Sequence, residues 1–246
     1  TAEITMAPTA DNSYLFTNPY LGPALEGGYR SIGKGTITDS DITPDSRFLI
    51  VATNLGLYVY EVETLELTRY LPVEEELNQV EVNPDGTGFV TTDYKGNLTV
   101  WDLPTFEKRE SILITNQGVK DIEFNHDGSR LILACLDQAV RIMDTASSEI
   151  KETVFMESRV PLSVGAHPSR GIFAVSFEDD TFRIFDIENG EELVSVGETH
   201  NSYPYTSEEY AMFDFSRVHF SMDGSQLFFS TSGSYTAYNT SIYEEV

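Results

Sequence analysis

The sequence predicts an all-β protein, a β-propeller of about six four-stranded antiparallel blades. Its main evidence is a repeat in which a turn, an apolar run and a pair of a large apolar and an acidic residue follow in fixed order. The large residues of successive pairs are spaced by 41, 42 and 42 residues, at Tyr60, Trp101, Met143 and Phe185. Such a period indicates repeated supersecondary units that bury their faces against one another.

The stretch 78–114 shows the strands within one repeat. Val80 and Val82 alternate with polar residues, which predicts a half-buried strand, and Asn83-Pro84-Asp85-Gly86 predicts a hairpin turn. The β-branched and aromatic runs 89–92 and 98–101 predict two more strands, separated by a turn at 93–96. A fourth strand is predicted at 111–114, so the repeat forms one antiparallel meander.

Extending this order over the chain predicts a single propeller domain, 1–246, with one insertion. The predicted blades are 1–34 (a degenerate copy), 35–72, 73–115, 116–157, 158–197 and 214–246, with an inserted loop at 198–213. An incomplete seven-bladed propeller is the alternative. The final residues 241–246 are expected to pair beside the N-terminal strand, because an open sheet edge invites aggregation.

The repeated pairs are expected to be structural. Large side chains on one strand of every blade would pack against the neighbouring sheet rather than hold a cofactor. Cys135, the only cysteine, lies in an apolar run and is expected to be a buried small hydrophobe. The structural repeat residues are Tyr60, Trp101, Asp102, Met143, Asp144, Phe185 and Asp186.

From about residue 37 to 240 the chain resembles the WD-repeat β-propeller family. Trp101-Asp102 is the signature dipeptide, and 180–186 and 137–144 resemble the strand that precedes that dipeptide in the family. No Gly-His dipeptide precedes a first strand, so the family's His–Asp–Ser–Trp hydrogen-bond network is expected to be absent. A propeller of the "YVTN" type fits nearly as well. The resemblance implies a protein-interaction scaffold that is a subunit of a larger complex.

The net charge of the chain indicates which kinds of partner it can bind. Fifteen Lys and Arg residues against 40 Asp and Glu give a formal charge of −25, which disfavours nucleic acid and anionic membranes. It suits a protein partner with a basic surface, a salty habitat or high solubility. No apolar run is long enough to span a bilayer, and the start at Thr1 indicates a processed or truncated product. A cytoplasmic or nuclear location is slightly favoured over a secreted or cell-surface one.

The partner-binding site is predicted at one mouth of the propeller, where the connections between blades meet the turns between second and third strands. The segment 197–213 breaks the period and is rich in Tyr, which is common at interfaces. We therefore predict that deleting 201–210 abolishes partner binding with almost unchanged thermal stability. The predicted partner-binding residues are Tyr203, Tyr205, Glu208, Glu209, Tyr210, Glu74, Glu75, Glu76, Asp179 and Asp180.

Catalytic, cofactor and metal sites are not predicted, since no nucleophile elbow, phosphate loop or Cys-x-x-Cys occurs. His126 and His167 fall in equivalent turns on separate blades, which the repeat explains without a metal. Two alternatives remain at this point. One is a lactonase-like hydrolase or ligand-binding propeller, with a divalent cation in a channel onto which Asp93, Asp137, Asp179 and Asp180 converge. The other is an extracellular adhesion module.

Overall fold

The structure, a computed structural model, describes residues 34–196, 216–231 and 235–240. Contacts divide the chain into two units, Thr1–Ile32 and Gly33–Val246, and every described residue lies in the second. The predicted first blade (except Lys34), the inserted loop 198–213 and the closing strand 241–246 therefore lie outside the described residues.

Five antiparallel sheets make up the described part of the chain. The first contains β1 (Ile37–Ile42), β2 (Phe48–Thr53), β3 (Gly56–Glu61) and β4 (Leu67–Pro72). The second contains β5 (Leu77–Val82), β6 (Gly88–Asp93), β7 (Asn97–Asp102) and β8 (Lys108–Leu113). The third contains β9 (Val119–Phe124), β10 (Arg130–Cys135), β11 (Ala139–Asp144) and β12 (Glu149–Phe155). The fourth contains β13 (Pro161–Ala166), β14 (Ile172–Phe177), β15 (Phe182–Asp186) and β16 (Glu192–Val196). The fifth contains the described strands β17 (Arg217–Phe220), β18 (Gln226–Ser230) and β19 (Tyr235–Asn239).

Each sheet is a meander in which every strand pairs with the next in sequence, as one propeller blade does. The first strands of consecutive sheets also contact one another, β1 with β5, β5 with β9, β9 with β13 and β13 with β17. We call these five the inner strands, because they line a common channel. The all-β prediction of four-stranded antiparallel blades is confirmed, with about five to six blades.

The turn between the first and second strands shows why the repeat begins as it does. In the second blade, Asn83 Oδ1 accepts a hydrogen bond from the Asp85 backbone N–H, and Asp85 Oδ1 accepts one from Thr87. Gly86 takes a φ of 74°, which an L side chain rarely adopts. The side chains of this turn thus replace the backbone bonds that the chain reversal removes.

The large residues of the repeat are buried between sheets. Tyr60, Trp101, Met143 and Phe185 are all buried, and Trp101 stacks on Phe89 with ring centroids 5.7 Å apart. The Trp101 indole N–H also donates to Thr91 Oγ1 at 3.0 Å. A threonine on the preceding strand thus accepts the indole proton, although no Gly-His dipeptide precedes the first strand of this blade.

The acidic members of the pairs fix the turns that follow them. Asp102 pairs with Arg109 across its turn, Asp144 Oδ1 accepts the backbone N–H of Ser147 at 2.9 Å, and Asp186 Oδ1 accepts the backbone N–H of Glu188. Cys135 is fully buried in the sheet core.

Candidate functional site

Two kinds of loop meet at one end of the sheets, which we call the upper mouth. It comprises the turns between second and third strands and the connections that lead from one sheet to the next. The same contact recurs in three blades: Lys95 Nζ lies 2.5 Å from Glu75, Thr115 Oγ1 donates to Asp137 at 2.9 Å, and Arg159 Nε lies 2.6 Å from Asp179. Each contact joins a turn to the connection that precedes its own blade.

The acidic residues predicted for partner binding differ in their surroundings at this mouth. Glu74 and Glu76 are exposed on the connection between β4 and β5, whereas Glu75 is held by Lys95. Asp179 is engaged by Arg159 and Thr181, so its pKa is lowered although its partial burial opposes this. Asp180 lies in the same turn with a φ of 57°.

The Tyr-rich part of the predicted site lies outside the described residues. It comprises Tyr203, Tyr205, Glu208, Glu209 and Tyr210. Their role in binding stays a prediction.

The upper mouth also carries exposed apolar side chains that sequence reasoning missed. Leu55, Tyr94 and Leu136 are 41%, 58% and 37% exposed, and all three lie in turns between second and third strands. Tyr94 and Leu136 flank Gly118, since a Cβ there would lie 3.4 Å from both the Tyr94 carbonyl and Leu136 Cδ1. Their signal in the sequence is an apolar residue inside a tight turn, a place where polar residues dominate. These side chains give the mouth an apolar surface among acidic ones.

Two aspartates proposed for a catalytic channel have structural partners instead. Asp93 accepts hydrogen bonds from the backbone of Lys95 and Asn97 within its own turn. Asp137 binds both terminal nitrogens of Arg141, at 2.9 and 2.6 Å, which lowers the pKa of its carboxyl. Neither lines the two cavities of the channel, nor do Asp179 and Asp180. The predicted convergence of these four carboxylates is therefore not seen at these two cavities, and Asp93 and Asp137 act within their own blades.

The inner strands place polar side chains into the channel in two layers. A β-bulge at the same place in each of the first four sheets shifts the pairing of the inner strand and sets this alternation. The first layer is Asp39, Gln79, Asp121, Ser163 and Arg217, and the second is Asp41, Glu81, Glu123 and His219, with Gly165 at the corresponding position of β13.

The aspartates of these layers hold neighbouring blades together. An inner strand is the edge of its sheet, so half of its backbone N–H groups need partners from elsewhere. Asp39 accepts from Val80 N at 3.1 Å, and Asp41 accepts from Val82 N at 2.7 Å. We call such bonds inter-blade caps.

Asp121 makes the most extensive of these caps. It accepts the buried Val164 N–H at 2.9 Å through Oδ2 and the Gln79 amide at 2.7 Å through Oδ1. One carboxylate thus joins three blades.

Glu81 and Glu123 make no such cap. Neither side chain has a hydrogen-bond or ion-pair partner within the described ranges, and both line both channel cavities. Burial, followed by the charges of Asp121 and Asp41, raises the pKa of Glu123 to about 8. Burial and the charge of Glu123 raise the pKa of Glu81 well above its ordinary value. The channel therefore contains carboxylates that lack a counter-ion in the described structure.

Metal binding finds no support in the part of the chain that is described. Within 34–196, 216–231 and 235–240, no three His, Cys, Asp or Glu side chains form a group suited to a metal ion. His126 and His167 lie in equivalent turns but one position apart. His167 Nδ1 accepts the backbone N–H groups of Ser169 and Arg170, while Nε2 contacts Gly224 O at 3.2 Å. Burial lowers its pKa, so this histidine is a neutral turn cap.

No helix in the described residues is long and apolar enough to cross a membrane.

Comparison with known proteins finds distant relatives, of which three are described here. Over 156 residues the chain is 23% identical to COMPASS component SWD3 of Saccharomyces cerevisiae, covering 62% of the chain and 49% of that protein. It is 26% identical over 120 residues to WD repeat-containing protein 90 of Xenopus tropicalis, covering 48% and 6%. It is 24% identical over 151 residues to transcriptional corepressor LEUNIG_HOMOLOG of Arabidopsis thaliana, covering 59% and 18%.

These relatives are WD-repeat proteins. This chain is related to the WD-repeat β-propellers. The predicted resemblance is confirmed. WD-repeat relatives typically act as non-catalytic scaffolds for protein interaction. No protein-family model matches the chain. The match spans about half the length of the first relative and far less of the other two.

Proposed function

We propose that this propeller is a non-catalytic scaffold that binds a protein with a basic surface through its upper mouth. The observation that carries the proposal is that the upper mouth exposes three apolar side chains, Leu55, Tyr94 and Leu136, in the same kind of turn as exposed acidic residues. Interfaces combine an apolar centre, which contributes most of the affinity, with a charged rim, which selects and steers the partner. The names of two relatives, a COMPASS component and a transcriptional corepressor, agree with membership of a complex.

The exposed charged residues of the upper mouth indicate that the partner's binding surface is positively charged. Glu74, Glu76, Glu157 and Glu178 are exposed on connections and turns of this mouth, and Lys95 and Arg159 are already occupied by Glu75 and Asp179. With a chain charge of −25, long-range attraction favours a cationic partner and accelerates its association at low salt. The Tyr-rich segment 197–213 extends this surface in the proposal, as the sequence predicts.

The test is affinity capture from native cells with mass spectrometry, followed by binding measurements on the captured partner. Replacing Leu55, Tyr94 and Leu136 together by Ser should weaken binding by about tenfold or more, because central apolar contacts dominate interface energies. Leu67→Ser is the matched control, since Leu67 is 40% exposed but lies at the start of the outer strand β4.

Two further measurements separate the apolar and charged contributions. Glu74→Lys with Glu76→Lys should slow association and reduce its salt dependence, as rim charges do. A partner that binds the triple Ser variant as tightly as the Leu67 variant would overturn the proposal. Deleting 201–210 tests the Tyr-rich segment separately.

A further inference from the structure

A cavity of about 390 Å³ opens at the other end of the channel, which we call the lower mouth. The turns between first and second strands form its rim, with Pro44, Pro84, His126, Pro168 and Met222. Met222 is 99% exposed. The cavity has the size of a small-ligand pocket.

An apolar collar lies inside this rim. The last residue of every described inner strand is apolar and lines the cavity: Ile42, Val82, Phe124, Ala166 and Phe220. Ile42 is exposed, while Phe220 and Ala166 are partly so. The collar can therefore contact an aliphatic chain that enters from the rim.

The floor below the collar is lined by carboxyl groups. Asp41, Glu81 and Glu123 each lie one position before a collar residue in the sequence, and they also line the cavity. Asp41 caps Val82, but Glu81 and Glu123 are set deep in the channel without a partner in the described residues. An inter-blade cap thus accounts for the position of Asp41 in the channel. No such bond accounts for the positions of Glu81 and Glu123.

The lining of this cavity supplies no cation to these glutamates. Neither Lys nor Arg occurs among the residues around this cavity, and His167 is a neutral turn cap. Arg217 lines the adjoining channel cavity, which Glu81 and Glu123 also line, but it forms no ion pair with either of them in the described residues. His126 lies exposed at the rim. An apolar collar above two unpaired carboxylates is complementary to a cation on an aliphatic stem.

We propose that the lower mouth binds the lysine side chain of a partner protein, with its methylenes against the collar and its ammonium between Glu81 and Glu123. A strand advances about 3.3 Å per residue, so the collar-to-floor step is shorter than the four-carbon stem of lysine. The ammonium has three donors for the two carboxylates. The site is separate from the upper mouth, so it goes beyond the proposed function and does not depend on it.

Binding should strengthen as pH rises. The proton that occupies Glu123 below its pKa of about 8 competes with the ammonium, whose own pKa is about 10.4. Affinity should therefore increase from about pH 6.5 to about pH 9. The other charged groups on the inner strands around Glu123 are Asp39, Asp41, Glu81, Asp121, Arg217 and His219.

The probe is Nα-acetyl-L-lysine N-methylamide, titrated into full-length protein labelled with ¹³C at the methionine methyl groups. Met222 at the rim should shift and saturate in the millimolar range, roughly 1–10 mM, as one small ligand allows. Met143 and Met156 are buried in the sheet core and serve as internal references. Met222→Leu assigns the signal.

The norleucine analogue of the probe keeps the apolar stem and lacks the charge, so it should leave Met222 unshifted. Glu81→Gln with Glu123→Gln should weaken lysine-probe binding by about tenfold or more. Glu74→Gln with Glu76→Gln removes the same charge at the upper mouth and should leave it unchanged.

Three results would overturn the proposal: no Met222 shift with the lysine probe, an equal shift with the norleucine analogue, or unchanged affinity in the double Gln variant. The analogue comparison uses the wild-type chain, so the proposal stays testable if the double variant misfolds. The triple Ser variant of the upper mouth should still bind the probe, which separates failure here from failure of the proposed function.

Discussion

Replacing Asp121 by Ala should destabilise the folded chain, because it removes the carboxylate that links three blades by hydrogen bonds. Its carboxylate is the acceptor for the buried Val164 N–H and for the Gln79 amide. Alanine leaves the buried Val164 donor without its partner, and such an orphaned group costs about 1–3 kcal/mol. Losing one negative charge beside Glu123 acts in the opposite direction, because that charge raises the pKa of Glu123. We expect a net loss of about 1–3 kcal/mol.

Asp121→Asn is the informative companion variant. The asparagine oxygen can still accept the Val164 N–H, and its amide can donate to Gln79 Oε1, which is buried without a partner among the described residues. We therefore expect a loss below about 1 kcal/mol for Asn. Glu149→Ala, an exposed surface change, should lie within about 0.5 kcal/mol of wild type.

Urea unfolding measures the three free energies, and hydrogen exchange reports the Val164 amide directly. Each kcal/mol should lower the thermal midpoint by roughly 2–4 °C in a protein of this size. Equal stability of the Ala and Asn variants, or unchanged Val164 protection in Asp121→Ala, would refute the idea that inter-blade caps hold the inner strands.

Three further predictions follow from single positions. The raised pKa of Glu123 means that its folded form holds a proton which the unfolded chain releases near about pH 4.3, so this contribution to stability is lost as pH rises towards about 8. Urea midpoints should fall over that range in wild type and fall less in Glu123→Gln; parallel curves would contradict this. Gly165→Ala places a Cβ 2.8 Å from the Val218 carbonyl and should cost about 1–3 kcal/mol by urea unfolding, whereas Gly171→Ala, which meets only a side-chain methyl at 3.3 Å, should be near neutral. Burial raises the pKa of the Cys135 thiol to about 11, so a disulfide reagent should label native protein about a hundredfold more slowly than protein in urea, and equal rates would disprove its burial.

The fold could be predicted because its signals are local. Asn83-Pro84-Asp85-Gly86 specifies a turn by its own side chains, and the spacing from Trp101 to Met143 repeats the unit. The channel could not be predicted in the same way. Alternation places Gln79 and Glu81 on the face opposite Val80, but it does not reveal whether that face meets solvent or other strands.

The candidate sites show the same limit. Acidic residues in turns suggest channel carboxylates in one alternative, yet Asp93 and Asp137 each bind a neighbour within their own blade. Glu81 and Glu123 lie in the channel because the bulges of the inner strands direct them there. Aligning the repeats would have shown acidic residues at the same place in three consecutive first strands.

The inter-blade caps all run in the same direction along the row of described blades. In each backbone cap the side-chain acceptor belongs to the earlier blade and the backbone donor to the later one, from Asp39 to Val80 and from Asp121 to Val164. Arg217 occupies the corresponding place on β17, and its guanidinium has only donors. A strand that adjoined β17 on its far side could not obtain this cap from Arg217. At this place it would instead have to present an acceptor to Arg217, so the two ends of the described array offer opposite hydrogen-bonding groups there.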